Sequence, residues 1–418
     1  MSEAERIRNR RAIEALRAGV PNRDAVLALG STQPEIERKF LEQLQSVGTQ
    51  PQGILVKGGF GAGKSHLLEF LLQTALRENF VCSKVVISKE TPFYDPAKLY
   101  RAAAEAAVVP RRMGDALTEI MTKMDTNSQA YADFYQWVNN SPDLSQMFAA
   151  TLFIYERMPG THNGEVRNRI TRFWSGDKIG LNEIKRWLKD LRERVSFNLI
   201  KVSPKELALH RFKFAARLMV AAGYAGWVLF IDELELIGRY SLLQRAKSYA
   251  ELGRLMGKLE GWQSPGLMSI CSITDDFAGE VLEDRNDLEK VPGKLRARGW
   301  GDDLLWASQA ERGMRLIERE TIPLASPDYA MLHAVYGKLK SIYADAYDWS
   351  PPDITGWDKM LTDIMQPKIR LYVKLWITVW DLKRSDPDYV INMIAGELKL
   401  VYSEDKDLQV SPEGENEE

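Results

Sequence analysis

The sequence predicts an α/β protein: a parallel sheet between two layers of helices (αβα), split by a long helical insertion and followed by a C-terminal helical lid. Three observations carry this. Apolar runs at 53–59, 81–90, 226–233 and 266–276 alternate with helical stretches, as strands joined by crossover helices do. The run WVLFI (227–231) is apolar throughout, as a strand covered on both faces must be. The third is the loop GGFGAGKSH (58–66), which stands between an apolar strand and an amphipathic helix.

The chain has 418 residues, 45% hydrophobic and 27% charged, which suits a globular protein of one to three domains. A formal net charge of -2 gives no overall basic excess, so any contact with nucleic acid must come from local patches. Two cysteines, Cys82 and Cys271, lie in apolar runs and read as buried thiols of a cytosolic protein. With four histidines they form no metal-ligand spacing. The opening MSEAERIRNRR lacks an apolar stretch, and no apolar run approaches a membrane span. The expectation is a soluble, cytoplasmic protein.

Taken in order, residues 1–48 are an N-terminal helical segment: a charged helix to residue 18, a break at GVPNRD (19–24), and a helix over 33–46 with Pro34 near its start. Residues 49–108 form the first part of the core, with strand GILVK, the glycine loop, helix 65–79, strand VCSKVVISKE and a following helix. Residues 109–205 contain no clear strand and are too long for one crossover; they read as a basic helical insertion. Residues 206–326 return to the core: helix 206–222, strand GWVLFIDE, helix 242–259, strand GLMSICSITDD and a last strand in ERETIPLAS (318–326). Residues 327–402 form the helical lid. The polar, acidic tail 403–418 reads as disordered.

GGFGAGKS fits G-x-x-x-x-G-K-[ST] in full, through Gly58, Gly63, Lys64 and Ser65. Backbone N–H groups of Gly58, Gly59, Phe60, Gly61, Ala62, Gly63 and the residues up to His66 can curl around phosphates at a helix N-terminus. Lys64 neutralises β- and γ-oxygens, and the Ser65 hydroxyl binds Mg²⁺. WVLFIDE has the form of a Walker B strand: Asp232 at its carboxyl end faces the metal, and Glu233 can orient and deprotonate the attacking water. The polar tip of SICSITDD offers Thr274, with Asp275 second, as the group that senses the γ-phosphate. In QPKIRLYVKLWITVWDL (366–382), Arg370 opens a lid helix and can fold over the phosphates, or else cap a salt bridge within the lid.

A loop, a DE strand, a polar strand tip and a lid arginine in this order resemble the AAA+ ATPases, especially the branch near origin-recognition and STAND-type proteins. RAIEALRAGVPNRDAVLALG (11–30), VVISKETPFYDPAKLYRA (85–102), GYAGWVLFIDELELIGR (223–239) and AKSYAELGRLM (246–256) resemble the BREX phage-defence ATPases of the BrxC/BrxD type. The size suits the short BrxD-like members. The resemblance implies an ATP- and Mg²⁺-dependent ATPase with an AAA+ core. It also implies helicase, methyltransferase or phosphatase-like partners in a defence system. It places GVPN near the adenine, with Asn22 or Arg23 in contact; the alternative is a plain turn between helices.

AAA+ enzymes often complete the site with an arginine from a neighbouring subunit, so a homo-oligomer is implied. Arg296 and Arg298 in KVPGKLRARGWGDD, or Arg285 before them, are the candidates; a basic surface loop is the alternative. From Arg157 to Lys213 there are 14 Lys/Arg against 6 Asp/Glu, interleaved with Phe173, Trp174 and Trp187. This segment is either a solvated, Trp-packed helical face or a non-specific DNA-phosphate surface; nothing in it reads bases. Two functions follow. One is an ATPase that couples hydrolysis to assembly or remodelling of a DNA-associated defence complex. The other is a slow switch that oligomerises on ATP and recruits an effector. A non-enzymatic adaptor fits poorly with intact Lys64, Asp232 and Glu233, and a small-molecule kinase fits worse.

Overall fold

The computed structural model of the chain describes residues 2–389, except 21, 49–51, 112–115, 159–162, 193–195, 260–261, 263, 300, 356 and 358–367. The acidic tail and the end of the lid expected at 390–402 lie outside the described residues. The strands are β1 (Gln52–Lys57), β2 (Val81–Val86), β3 (Ala107–Val108), β4 (Trp227–Asp232), β5 (Leu267–Ile273) and β6 (Ile322–Pro323). They form one sheet in the order β3-β2-β4-β5-β1-β6, parallel throughout except for β3. Every residue of β4 and β5 is buried, as continuous apolar runs with helices on both faces require. This is the α/β sheet of a P-loop ATPase core with added helices.

Helices before and within the first half of the sheet are α1 (Glu3–Ala18), α2 (Arg23–Leu29), α3 (Pro34–Ser46), α4 (Lys64–Arg77) and α5 (Pro96–Glu105). The stretch without strands holds α6 (Ala116–Lys123), α7 (Gln129–Asn140), α8 (Gln146–Arg157), α9 (Asn163–Ser175) and α10 (Leu181–Asp190). Then come α11 (Pro204–Ala221), α12 (Leu242–Leu255), α13 (Asp287–Arg298), α14 (Gly301–Arg319), α15 (Tyr329–Tyr347) and α16 (Ile369–Ser385). Among the described residues no helix is long and apolar enough to cross a membrane.

Three apolar cores organise these elements. One lies on the face of the sheet against α3 and α4, around Phe40, Leu68, Leu71, Cys82 and Phe230. The second covers the opposite face and runs without a break into the insertion, through Tyr100, Phe212, Phe214, Trp227, Phe148 and Trp174. Residues 109–205 are therefore inserted in sequence but share their core with the sheet. The third joins α1 and α2 to α15 and α16 through Ile13, Leu16, Ala25, Leu339, Tyr343, Trp376 and Trp380. The N-terminal helices and the lid helices thus bury their apolar faces against each other.

Several expected elements differ in detail. The turn assigned to 19–24 is shorter, because Asn22 caps α2 by accepting from Ala25 N at 2.8 Å. The last strand shrinks to two residues. Pro323 has no N–H to donate, and pairing ends once Leu324 N donates to Lys57 O at 2.8 Å. The segment around the arginine candidates Arg296 and Arg298, whose alternative reading was a basic surface loop, is helical, as α13, and holds Pro292. Helix 242–259 ends at Leu255.

Candidate nucleotide site

β1 delivers the chain to the glycine loop, and α4 leaves it with Lys64 as its first residue. Gly61 and Gly63 hold φ of 83° and 104°, where a side chain would be strained. The loop floors a cleft of about 1020 Å³ measured out to its open mouth. Gly59 to His66 line this cleft, as do Glu233, Glu235 and Arg370. Leu16, Leu29, Val335, Ile369 and Val373 line it too, giving it an apolar end.

Lys64 is 7% exposed. Its ammonium donates to Gly58 O at 2.8 Å and sits 3.6 Å from Glu235 Oε1. Asp232 is fixed at the end of β4 by two donors: Ser272 Oγ at 2.5 Å from β5 and the Glu233 amide at 3.1 Å, both to Oδ1. Glu233 follows in the left-handed region, φ 61° and ψ 37°, a conformation that costs a residue with a side chain about 1–3 kcal/mol. Burial, then the neighbouring Asp232 charge, raise the Glu233 pKa, while Lys64 and Arg370 pull it down. A base held above the usual carboxylate range takes a proton more readily near neutral pH. Glu235, on the 3₁₀ turn Leu234–Arg239, is pushed up to about 7, chiefly by burial and against the pull of Lys64.

Arg370, at the start of α16, reaches the glycine loop. Its amide donates to Gly61 O at 3.3 Å, and its guanidinium carbon stands 5.1 Å from the Phe60 ring centre. His66 contacts Gly30 O through Nε2 at 2.7 Å. Burial lowers its pKa, so the ring is neutral and carries its proton on Nε2, the nitrogen that donates. Ser65 lines the cleft beside Lys64. The donor set of Ser65 hydroxyl and Asp232 carboxylate is hard oxygen, which suits Mg²⁺ held jointly with phosphate oxygens and water. Among the described residues there is no cluster of three or more His, Cys, Asp or Glu that could hold a metal without such help.

Other expected residues fall elsewhere. Asn22 spends its side-chain oxygen on capping α2 and is absent from the lining, while Gly19 and Gly30–Gln33 wall the apolar end instead. Arg23 is exposed. Thr274 is buried and does not line the cleft. Its neighbour Asp275 stands over the loop, with Oδ2 3.5 Å from the place a Gly59 Cβ would take. Arg296 donates to Glu311 at 2.6 Å and Arg298 pairs with Asp303 at 3.2 Å; both are about half exposed and neither lines the cleft. Arg285 donates to Gly238 O at 2.5 Å, behind the Glu233 turn.

In the basic segment the aromatic residues are core. Phe173, Trp174 and Trp187 are buried, so they cannot stack on bases. Arg167 donates to Tyr155 O, Arg169 meets Glu183 and Lys178 O, Arg172 pairs with Asp177, and Arg211 is buried against Phe173 O and Asp177 O. Lys178, Lys185, Arg186, Lys189 and Arg192 remain exposed. Arg194 lies outside the described residues.

Two residues of this site were not anticipated. Ser272, which holds Asp232, is one of two serines, with Ser269, in the otherwise apolar strand β5. Glu235 follows Glu233 by two positions, in a stretch whose turn geometry no pattern announces.

Fold and site together define a P-loop nucleotide-binding protein. The family of BREX system ATP-binding proteins BrxC/D matches residues 5–367, and the chain belongs to it: an ATP-binding protein of the BREX phage-defence system. A search of curated proteins found no match.

Proposed function

We propose that the protein is an AAA+-type ATPase that hydrolyses ATP and couples it to assembly or remodelling of a DNA-associated defence complex. The observation that supports this best is the convergence of Lys64, Ser65, Glu233 and Arg370 on one cleft whose far end is apolar, with Asp232 buried next to Glu233 at the end of β4. In this reading the adenine packs between Leu16, Leu29, Val335 and Val373, and the phosphates lie on Gly59–Ser65. Mg²⁺ would supply charge neutralisation between the β- and γ-phosphates. Lys64 moves its ammonium from Gly58 O and the neighbouring Glu235 to the phosphates. Asp232, held by Ser272, presents its free oxygen to the metal side. Glu233 accepts a proton from the attacking water, and its raised pKa suits it to that task. Arg370 stabilises the departing phosphate, with Asp275, or Thr274 behind it, as sensor of the γ-phosphate.

A neighbouring copy would add Arg296 or Arg298, since both are at the surface at the end of α13. Binding to DNA would run through the exposed Lys185, Arg186 and Lys189 and would be sequence-independent. The second reading, a slow switch, draws on a different observation: Arg370 is the arginine lining the cleft among the described residues, and the surface candidates are already paired with acids. Turnover would then wait on an assembly that frees them.

The deciding experiment is ATP hydrolysis by the purified protein with and without duplex DNA, alongside its mass in solution. DNA-stimulated turnover by an oligomer supports the remodelling ATPase. A monomer that binds ATP and barely turns it over, with or without DNA, supports the switch. Absence of nucleotide binding sinks both.

A further inference from the structure

Glu235 is the one carboxylate at this site with no obvious task in hydrolysis. It is 2% exposed, lines the nucleotide cleft, and its Oε2 has no hydrogen-bond partner. A buried anion with a free oxygen is costly unless a cation stands by it. The cation is Lys64, 3.6 Å away and itself buried. The two other nearby charges, Asp232 and Glu233, repel it. Lys64 is also the group that must meet the phosphates, so one ammonium faces two competing anions.

We propose that Glu235 is the resting partner of Lys64, holding the ammonium in the nucleotide-free cleft and yielding it to the β/γ-phosphates, so that it limits how tightly nucleotide binds. The proposal rests on Lys64 as the phosphate-binding lysine but not on hydrolysis. Glu235 acts here as a positioning residue, through Lys64. Its carboxylate orients the Lys64 side chain while phosphate is absent, and its charge then opposes the incoming polyphosphate. ATP, which brings a γ-phosphate closer to the 3₁₀ turn, suffers this opposition more than ADP. The ligand class is a nucleoside di- or triphosphate, and the device sets the affinity of the cleft for it.

The test is equilibrium binding of ATP and ADP to the intact protein at pH 8, above the Glu235 pKa of about 7, in EDTA and in Mg²⁺, for the wild type, Glu235→Gln and Glu235→Met. The first variant keeps shape and removes charge; the second fills the site without polar atoms, should the amide disturb folding. With the competing anion gone, both variants bind ATP more tightly in EDTA, on the order of tenfold, equivalent to about 1.4 kcal/mol. ADP gains less. In the nucleotide-free protein, Lys64→Met lowers the melting temperature by several degrees, because it leaves Glu235 buried without its cation. Adding Glu235→Gln to Lys64→Met restores most of that loss.

Unchanged or weaker nucleotide binding by both variants in EDTA overturns the proposal. So does a deficit that appears only with Mg²⁺, which would make Glu235 a metal-side group. Failure of Glu235→Gln to rescue Lys64→Met overturns it as well. The functional reading fails differently: a wild-type protein that binds no nucleotide refutes it directly, and one that binds but does not hydrolyse leaves the role of Glu235 standing.

Discussion

Asp287 begins α13, is fully buried, and receives three hydrogen bonds. Arg245 Nε and Tyr249 OH donate to Oδ2 at 2.7 Å each, and Arg245 Nη2 donates to Oδ1 at 2.9 Å. The remaining Arg245 donor, Nη1, reaches Tyr240 O at 2.7 Å, directly after the 3₁₀ turn that carries Glu235. Asp287 raises the Tyr249 pKa, behind burial, so the phenol stays a neutral donor. Replacing Asp287 by leucine removes the anion and strands a guanidinium whose side chain is 4% exposed. Breaking one side of a buried pair costs about 3–5 kcal/mol, against a total stability of about 5–15 kcal/mol for a folded domain. The expected result in urea denaturation is a fall in the unfolding midpoint corresponding to that loss. Arg245→Met loses a similar amount by stranding the carboxylate. The double variant Arg245→Met/Asp287→Leu loses much less than the sum, with a coupling of about 2 kcal/mol or more. A single Asp287→Leu variant within about 1 kcal/mol of wild type, or a strictly additive double variant, would refute the idea that this pair is desolvated and mutually dependent.

Three further outcomes follow from the geometry. Glu233→Gln keeps ATP binding and lowers turnover about a hundredfold or more, whereas Lys64→Ala loses nucleotide binding; full hydrolysis in Glu233→Gln removes Glu233 as the base. Gln33→Ala deletes both bonds of a reciprocal clasp, Ala325 N to Oε1 at 2.8 Å and Nε2 to Ala325 O at 3.2 Å, costing about 1–3 kcal/mol in total; hydrogen exchange at Ala325 should quicken, and unchanged exchange there would count against the clasp. At Gly313 on α14, a Cβ would lie 1.8 Å from Tyr249 O of α12, so Gly313→Ala must push the two helices apart at about 1–3 kcal/mol; an unaltered melting curve would mean that this close crossing is absent in solution.

Which parts of this were legible in the sequence depended on how local their cause is. The glycine loop and the Asp232–Glu233 strand end are contiguous patterns in which each residue type answers to its own backbone or its own ligand. They could be read with their flanking strand and helix, and the structure places the glycine loop and Glu233 on one cleft, with Asp232 buried next to Glu233. Asn22 shows the opposite case. Its residue type suits a base contact or a helix cap equally, and the cap prevails because α2 needs an acceptor at its first turn. Phe173, Trp174 and Trp187, interleaved with arginines, carry the same local signature whether they face solvent or core. They are buried because α9 and α10 close over α8 and α11, a tertiary fact that spacing along one helix does not encode. Ser272 and Glu235 were missed for a related reason: the partner of each lies 40 or more residues-distant, or across a turn with no sequence signature.

The pairing of α1 and α2 with the lid has a consequence for the cleft. Its apolar end is built from Leu16 and Leu29 on one side and Val335, Ile369 and Val373 on the other, all members of or packed against the same third core or its edge. The glycine-loop end belongs to the sheet. The chain passes between these two bodies twice, near Gly30–Gln33 and near Leu324–Ala325, and both crossings line or adjoin the cleft. The Gln33 clasp joins the crossings to each other, His66 ties the first to α4, and the Arg370 amide ties α16 to Gly61. A nucleotide bound as proposed, with its base at one end and its phosphates at the other, would bridge the two bodies. Its base would read the position of the lid, and its phosphates the state of Lys64, Asp232 and Glu233. If nucleotide binds as proposed, a motion of the lid relative to the sheet would pass through contacts that the nucleotide touches, and the cleft would couple binding to lid position.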